Sequence, residues 1–175
     1  FWRGGRCGHQ GGGHWKHYWK QKWSGMTPEE KEAFHLDAEA KIKVVKVQKP
    51  KENERGEPRD VVVQCKTDLV GVLTQWVREG GEDNLHYHTN GDTFWMVLKG
   101  RARYYTVGDK LLADLGPHEG ILIPGGCRYW FEKAGEEELE LLQMVGYDPG
   151  GRKKERINVA PHKAWMTEAN LHVYE

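Results

Sequence analysis

Two histidines one residue apart, His86 and His88, stand just before an apolar run that ends at Gly100. In an extended strand alternate side chains face the same way, so both imidazoles can reach one metal ion or one bound molecule. The same spacing also arises by chance in exposed histidine pairs. The strands and glycines around the pair therefore decide which interpretation is preferred.

Short apolar segments separated by Gly, Asp and Pro surround the pair from Val61 to Val145. We predict nine strands, at residues 61–66, 69–78, 86–88, 93–99, 101–107, 111–115, 121–123, 128–132 and 139–145. No helical pattern lies between them. This spacing predicts an all-β protein, an antiparallel sandwich or barrel of jelly-roll type.

Two stretches within these strands have a fixed order of glycine, histidine and proline. The first runs Gly80, five residues, His86-x-His88, four residues, Thr93, six residues and Gly100. The second, HEGILIPGGCRYWFE, has Pro124 and Gly126 followed by Tyr129. This order resembles the two motifs of the cupin superfamily, over about half of the chain. The resemblance implies a cupin-type antiparallel β-barrel, in a superfamily that includes enzymes, storage proteins and sensor domains.

The resemblance also implies one divalent transition metal at the histidine pair, although two family ligands are replaced. The glutamate position holds Thr93 and the third histidine position holds Tyr129. A metal can lower the pKa of a phenol enough for it to bind, and Asp92 can turn inward at a bulge. We therefore predict His86, His88, Tyr129 and Asp92 as ligands of iron, zinc, copper or nickel. The alternatives are a metal-free ligand pocket, in which Tyr129 is a hydrogen-bond donor or an acid or base, and a purely structural barrel.

Strand parity places further side chains towards the interior. Thr93 and Trp95 share one face of a strand, and Cys127, Tyr129 and Phe131 share a face of another. The predicted substrate-binding residues are Trp95, Thr93, Gln75, Cys127, Phe131 and Gln143, and Tyr129 is the predicted catalytic residue. The alternatives are core packing for the aromatic side chains and the cysteine, and exposure to solvent for the two glutamines.

The segments outside the strands divide the chain into an arm (1–26), a helix, a strand and a charged loop (27–59), the cupin barrel (60–147) and a tail (148–175). Thr27 and Glu30 form a capping-box pattern that predicts a helix at 28–40, and KIKVVKV alternates like a strand. The basic arm contains Trp2, Trp15, Trp19 and Trp23, which we expect to be buried against a partner subunit or the barrel; a nucleic-acid-binding tail is the alternative. A separate metal site at Cys7, His9, His14 and His17 is a further alternative.

The charge balance, the lengths of the apolar stretches and the cysteine count limit the classes of function that we expect. Lys plus Arg equals Asp plus Glu at 26 each, so we expect no nucleic-acid partner from overall charge. No apolar stretch approaches the roughly 20 residues that span a bilayer, and three scattered cysteines indicate a reducing compartment, which we take as the cytoplasm. We predict a homodimeric, metal-dependent enzyme, an oxidoreductase, isomerase or lyase, acting on a small organic molecule. The alternative is a non-catalytic ligand-binding or sensory cupin that needs no metal.

Overall fold

The computed structural model describes residues 20–47, 49–50, 56–148, 150, 154–163, 165–166 and 173–174. The chain forms two compact units, residues 1–44 and 45–175. In the first unit, helix α1 spans Pro28–Glu39, close to its predicted limits. Thr27 Oγ1 accepts from the Glu30 amide at 3.2 Å, and the Glu30 carboxylate accepts from the Thr27 amide at 2.7 Å. The predicted capping box therefore forms and fixes the start of the helix.

One predicted tryptophan of the arm lies within the described part of the first unit. The Trp23 ring meets Phe34 edge-on at 5.7 Å and His35 at 5.2 Å, so it packs on α1. The other three tryptophans of the arm and its cysteine and histidines lie outside the described residues.

The second unit contains eleven strands within the part of the chain that the structure describes. They are β1 (Arg59–Lys66), β2 (Val70–Val77), β3 (His86–His88), β4 (Thr93–Lys99), β5 (Arg101–Tyr105), β6 (Leu111–Leu115), β7 (Gly120–Ile123), β8 (Trp130–Ala134), β9 (Leu139–Gly146), β10 (Arg156–Asn158) and β11 (Val173–Tyr174). A 3-10 turn, Val107–Asp109, precedes β6.

The strands form three sheets, with orders β11-β1-β2-β9-β4-β7, β6-β5-β8 and β10-β3. Every pairing is antiparallel except that of β1 with β11. The all-β jelly-roll prediction is confirmed, with one correction: no continuous hydrogen-bonded ladder joins the sheets into a closed barrel among the described residues. An isolated bridge between His86 and Tyr129 links two of the sheets locally.

The interior follows the predicted parity of β4. Thr93, Trp95 and Val97 are buried, whereas the residues between them are only partly buried. The Trp95 and Phe131 rings lie 5.2 Å apart, and Tyr104 lies 5.3 Å from Phe131. This aromatic cluster fills the space between the sheets, and Trp95 also borders the cavity described below.

The strand predicted for KIKVVKV is wrong. Residues 42–47 form no strand, and Ile42 and Val44 are 74% and 89% exposed. Alternation predicts a strand only where a neighbouring strand supplies hydrogen bonds, and none pairs with this segment among the described residues. Within that same part of the chain, we find no helix with the length and apolar character needed to cross a bilayer.

Candidate ligand cavity

A cavity of about 160 Å³ lies inside the second unit. Its lining residues are Arg59, Val61, Gln75, Asp83, His86, His88, Trp95, Tyr129, Gln143, Arg156, Trp165 and Met166. A dry cavity of roughly 150 Å³ is known to hold benzene, so this one suits a molecule of about that size.

The two histidines lie together at this cavity, as the sequence predicts. β3 is held by β10 on one side and by the bridge to Tyr129 on the other, which fixes both imidazoles. His86 is fully buried, and its Nδ1 lies 2.7 Å from the carbonyl oxygen of Asn84. Because only a protonated Nδ1 can donate to that carbonyl, the neutral ring keeps Nε2 as an acceptor. The rings of His86 and His88 are nearly perpendicular, with centroids 5.0 Å apart.

Both imidazoles are neutral at ordinary pH. Burial lowers the pKa of His86 to about 4, although the carboxylate of Asp83 partly opposes the change. Burial also lowers the pKa of His88 to about 3, and the neighbouring His86 and Lys154 contribute. The pair therefore offers lone pairs rather than positive charge.

Tyr129 and Trp95 place two polar groups beside the pair. The Tyr129 ring lies 4.5 Å from that of His86. Burial, together with the negative charge of Asp83, raises the pKa of Tyr129, so the phenol keeps its proton. The Tyr129 hydroxyl, Trp95 Nε1 and His86 Nε2 are buried and have no hydrogen-bond partner of good geometry among the described residues.

At the glutamate position of the cupin motif, this chain has a threonine that binds a lysine. Thr93 is buried, and its hydroxyl accepts from Lys154 Nζ at 2.6 Å; the same ammonium lies 3.3 Å from the Asp92 carbonyl oxygen. Burial lowers the pKa of Lys154 to about 8, and Asp92 partly offsets this. A cation thus lies where the family motif has an anionic ligand.

Four predicted site residues do not line the cavity: Asp92, Thr93, Cys127 and Phe131. Asp92 is exposed, and its Oδ1 accepts from the Gly125 amide at 2.9 Å, because β4 begins only at the next residue and places Thr93 inward instead. Cys127 is also exposed, since it lies in the turn before β8, where strand parity does not apply. Phe131 is buried in the aromatic cluster and does not line the cavity.

Gln75 and Gln143 form a hydrogen-bonded row at the cavity. Gln75 Oε1 accepts from Arg59 Nε at 2.8 Å and also from Arg59 Nη2. Gln75 Nε2 donates to Gln143 Oε1 at 2.7 Å. With its oxygen occupied, Gln143 presents Nε2 as a donor to the cavity that it lines.

A buried group of charges adjoins this row. Arg59 Nη1 lies 3.6 Å from one Asp83 oxygen, and Arg156 Nη2 donates to the other at 2.8 Å. Burial raises the pKa of Asp83, but the two guanidinium groups outweigh it and the net shift is downward. Arg59 lies against the rings of Phe131 and Trp165, at 4.8 and 5.2 Å, which holds its plane.

Sequence reasoning missed the residues of this charged group and its surroundings. They are Arg59, Asp83, Lys154, Arg156 and Trp165. Arg59 carries a usable signal, because it lies two residues before Val61 and so shares the inward face of β1. The tail contains three of the others, Lys154, Arg156 and Trp165. Its sequence pattern alone does not indicate that it pairs with β3.

The donor set does not fit the metal site that the cupin resemblance implies. Among the described residues, no group of three or more His, Cys, Asp or Glu side chains is arranged to hold a metal ion. Of the described residues that line the cavity, the two imidazoles are available as donors, whereas the Asp83 carboxylate is engaged by Arg59 and Arg156. Lys154, Arg59 and Arg156 add positive charge around the imidazoles, which opposes a divalent cation.

Comparisons with known proteins agree with this fold. Residues 74–145 match the family model described as "Cupin domain". Over this segment, which is less than half of the chain, the sequence is similar to that family. No curated protein matches the sequence.

Three solved structures illustrate the likeness. A cupin superfamily protein from Desulfitobacterium hafniense DCB-2 is 19% identical, covering 58% of this chain and 84% of its own, with a TM-score of 0.46. An RmlC-like cupin protein from Desulfovibrio desulfuricans is 14% identical, covering 59% and 97%, with a TM-score of 0.48. An oxalate oxidase in complex with glycolate is 18% identical, covering 59% and 56%, with a TM-score of 0.48.

Proposed function

We propose that this cupin binds a small organic molecule in the cavity through protein side chains, without a metal ion. The observation that carries the proposal is the buried His86 Nε2, which has no hydrogen-bond partner among the described residues, beside Trp95 Nε1 and the Tyr129 hydroxyl, which approach each other without a hydrogen bond of good geometry. Buried polar groups almost always have hydrogen-bond partners, because leaving one unmade costs about 1–3 kcal/mol. All three residues line the same cavity, so one ligand can satisfy them together.

The three atoms define complementary roles. Trp95 donates, His86 accepts, and Tyr129 can do either. A ligand with a hydrogen-bond acceptor therefore matches Trp95 and Tyr129, an N–H or O–H group on the ligand would also satisfy His86, and the aromatic side chains around the cavity favour a flat molecule.

Binding is tested by a thermal-shift and calorimetry screen in metal-free buffer containing EDTA. The panel consists of small molecules of at most about nine non-hydrogen atoms: benzoate, benzamide, phenol, acetate, acetamide and imidazole. At least one should raise the melting temperature and bind with a stoichiometry of one per chain. If none of them binds, the proposal is lost.

A matched pair of variants locates the binding. Trp76 and Trp95 are both 2% exposed with an unpartnered Nε1, but only Trp95 lines the cavity. We expect Trp95→Phe to weaken binding of the panel member found and Trp76→Phe to leave it unchanged. Equal losses in both variants would place the binding elsewhere.

A metal-dependent enzyme of the oxygenase, isomerase or lyase type is the second candidate. The observation that favours it is the free Nε2 of His86 beside the neutral His88 imidazole. Elemental analysis of the purified protein tests it: about one iron, zinc, copper or nickel per chain, lost in His86→Ala, would favour the enzyme. In that case turnover, and its loss in Tyr129→Phe, becomes the next measurement.

We also propose a homodimer located in the cytoplasm. Phe94, Met144 and Leu122 lie next to one another across β4, β9 and β7, and Met144 and Leu122 are 41% and 61% exposed. An apolar row of this kind is a usual feature of an interface between subunits. Light scattering of wild type and of Leu122→Lys should give the dimer and the monomer mass, respectively.

A further inference from the structure

We infer that the ligand of this cavity is a small monoanion of the carboxylate class, bound by Arg59. The inference rests on the proposed function, because it assigns the chemical class of the molecule in the same cavity. Its basis is the excess of positive over negative charge among the residues that line the cavity, where Arg59 and Asp83 are buried and Arg156 is partly exposed.

Two guanidinium groups share one carboxylate at the cavity. Arg59 and Asp83 are 6% and 3% exposed, and Arg156 binds the second oxygen of Asp83. Asp83 is the only carboxylate among the described residues that line the cavity. The two histidines are neutral there, so the lining carries one positive charge in excess. Because both guanidinium groups rely on the same carboxylate, a bound anion would supply a second negative partner beside the buried Arg59.

Arg59 has unused donors. Its Nε and Nη2 both bond to Gln75, whereas Nη1 is 3.6 Å from Asp83, which is beyond hydrogen-bond distance. Nη1 forms an ion pair with Asp83 but makes no hydrogen bond within the described part of the chain, and Arg59 lines the cavity. Stacking against Phe131 and Trp165 holds the guanidinium in one plane, so its N–H groups are preorganised for a carboxylate.

The neighbouring groups add donors rather than acceptors. Gln143 Nε2, Trp95 Nε1 and the Tyr129 hydroxyl border the same space as donors, and the acceptors there are one nitrogen of each histidine and the Asp83 carboxylate, which the two arginines already occupy. A carboxylate accepts up to about four hydrogen bonds and so matches this set, whereas a cation would meet mostly donors. The cavity volume of about 160 Å³ suits a ligand of about the size of benzoate.

Matched acid and amide pairs test the charge directly. Calorimetry compares benzoate with benzamide and acetate with acetamide, at pH 7 in EDTA. We expect each carboxylate to bind at least about tenfold more tightly than its amide, as a charge-assisted hydrogen bond provides. If an amide binds as tightly as its acid, the inference is overturned while the proposed function stands. If neither acids nor neutral members of the panel bind, the proposed function itself fails.

Variants assign the preference to Arg59. Arg59→Gln should abolish the preference for the acid, and Arg59→Lys should keep part of it. The control is Arg103→Gln, which removes an exposed arginine and should leave the preference unchanged. A preference that survives in folded Arg59→Gln but disappears in Arg156→Gln overturns the assignment. Should Arg59→Gln fail to fold, Arg59→Lys and the wild-type comparison of acid with amide still decide the outcome.

Discussion

The ammonium nitrogen of Lys154 lies 2.6 Å from the hydroxyl oxygen of Thr93, the residue at the glutamate position of the cupin motif. The one negatively charged ligand position of the motif is thereby occupied by a neutral hydroxyl with a cation bound to it. Because Tyr129 replaces the third histidine and keeps its proton, the same cavity is better suited to a ligand that accepts hydrogen bonds than to a metal ion.

Restoring the motif should create metal binding. The variant Thr93→Glu/Tyr129→His/Lys154→Met supplies the two missing ligands and removes the nearby ammonium. We expect it to retain about one zinc or nickel per chain after dialysis, with wild type well below one. Elemental analysis measures both, and adding His86→Ala to the variant should release the metal. Stoichiometric metal in wild type would contradict the charge argument.

Replacing Tyr129 by Phe should weaken ligand binding without loss of stability. The substitution removes a buried hydroxyl that has no partner of good geometry, so the free energy of unfolding should stay the same or rise by up to about 1 kcal/mol. Affinity for benzoate should fall about fivefold for the lost hydrogen bond. Denaturant unfolding and calorimetry measure the two effects.

Tyr104→Phe is the matched control for that variant. Its hydroxyl is also buried without a partner, but Tyr104 does not line the cavity. Its stability should change in the same way, with unchanged affinity. If both variants lose affinity equally, the effect comes from the aromatic cluster and not from a contact with the ligand.

Asp83 should be essential for folding in a way that Asp114 is not. Each carboxylate binds two arginines, but Asp83 is buried whereas Asp114 is partly exposed, with its partners Arg101 and Arg103 at the surface. Asp83→Asn leaves two guanidinium groups uncompensated and should cost about 3–5 kcal/mol. Asp114→Asn should cost no more than about 1 kcal/mol. Urea unfolding of the two variants should separate them clearly, and similar costs would mean that burial is not the deciding factor.

Stability should fall as the pH falls below 6.5. The unfolded histidines titrate near 6.5, whereas His86 and His88 titrate near 4 and 3 in the folded protein, so the unfolded chain binds more protons in this window. The free energy of unfolding should drop by about 1.4 kcal/mol per pH unit for each histidine, and the effect should vanish above 6.5. Urea unfolding from pH 7.5 to 4.5 in EDTA measures the slope.

His88→Gln provides the comparison for the pH experiment. It removes one of the two depressed titrations, so the slope should be about half that of wild type. If the free energy of unfolding of wild type does not change between pH 6.5 and pH 4.5, the two imidazoles gain a proton as easily as exposed histidines do.

Much of the fold is predictable because local patterns decide it. Thr27 and Glu30 define the start of α1 by themselves, and the alternation around Trp95 defines the inward face of β4. The segment 42–47 shows the limit, because pairing requires a neighbouring strand that a local pattern does not reveal. Closure of the barrel likewise depends on distant strands.

The site was predictable only in part, for the same reason. His86, His88 and Tyr129 come together because two motifs on neighbouring strands specify them. The charges come from elsewhere: Arg59 lies within a loop that was expected to be solvated, and Arg156 lies on β10, whose pairing with β3 joins residues far apart in the chain. Asp92 was assigned inward on the assumption of a bulge, but its bond to the Gly125 amide turns it outward.

The row from Arg59 through Gln75 to Gln143 makes the polarity of one cavity wall depend on a residue two strands away. An amide has no intrinsic preference for which end faces inward, and here the guanidinium selects the oxygen of Gln75 and so the nitrogen of Gln143. An acceptor such as glutamate at residue 59 would turn both amides over, and Gln143 would present its oxygen. The selectivity of this wall can therefore be inverted during evolution, or by design, while both glutamines stay unchanged.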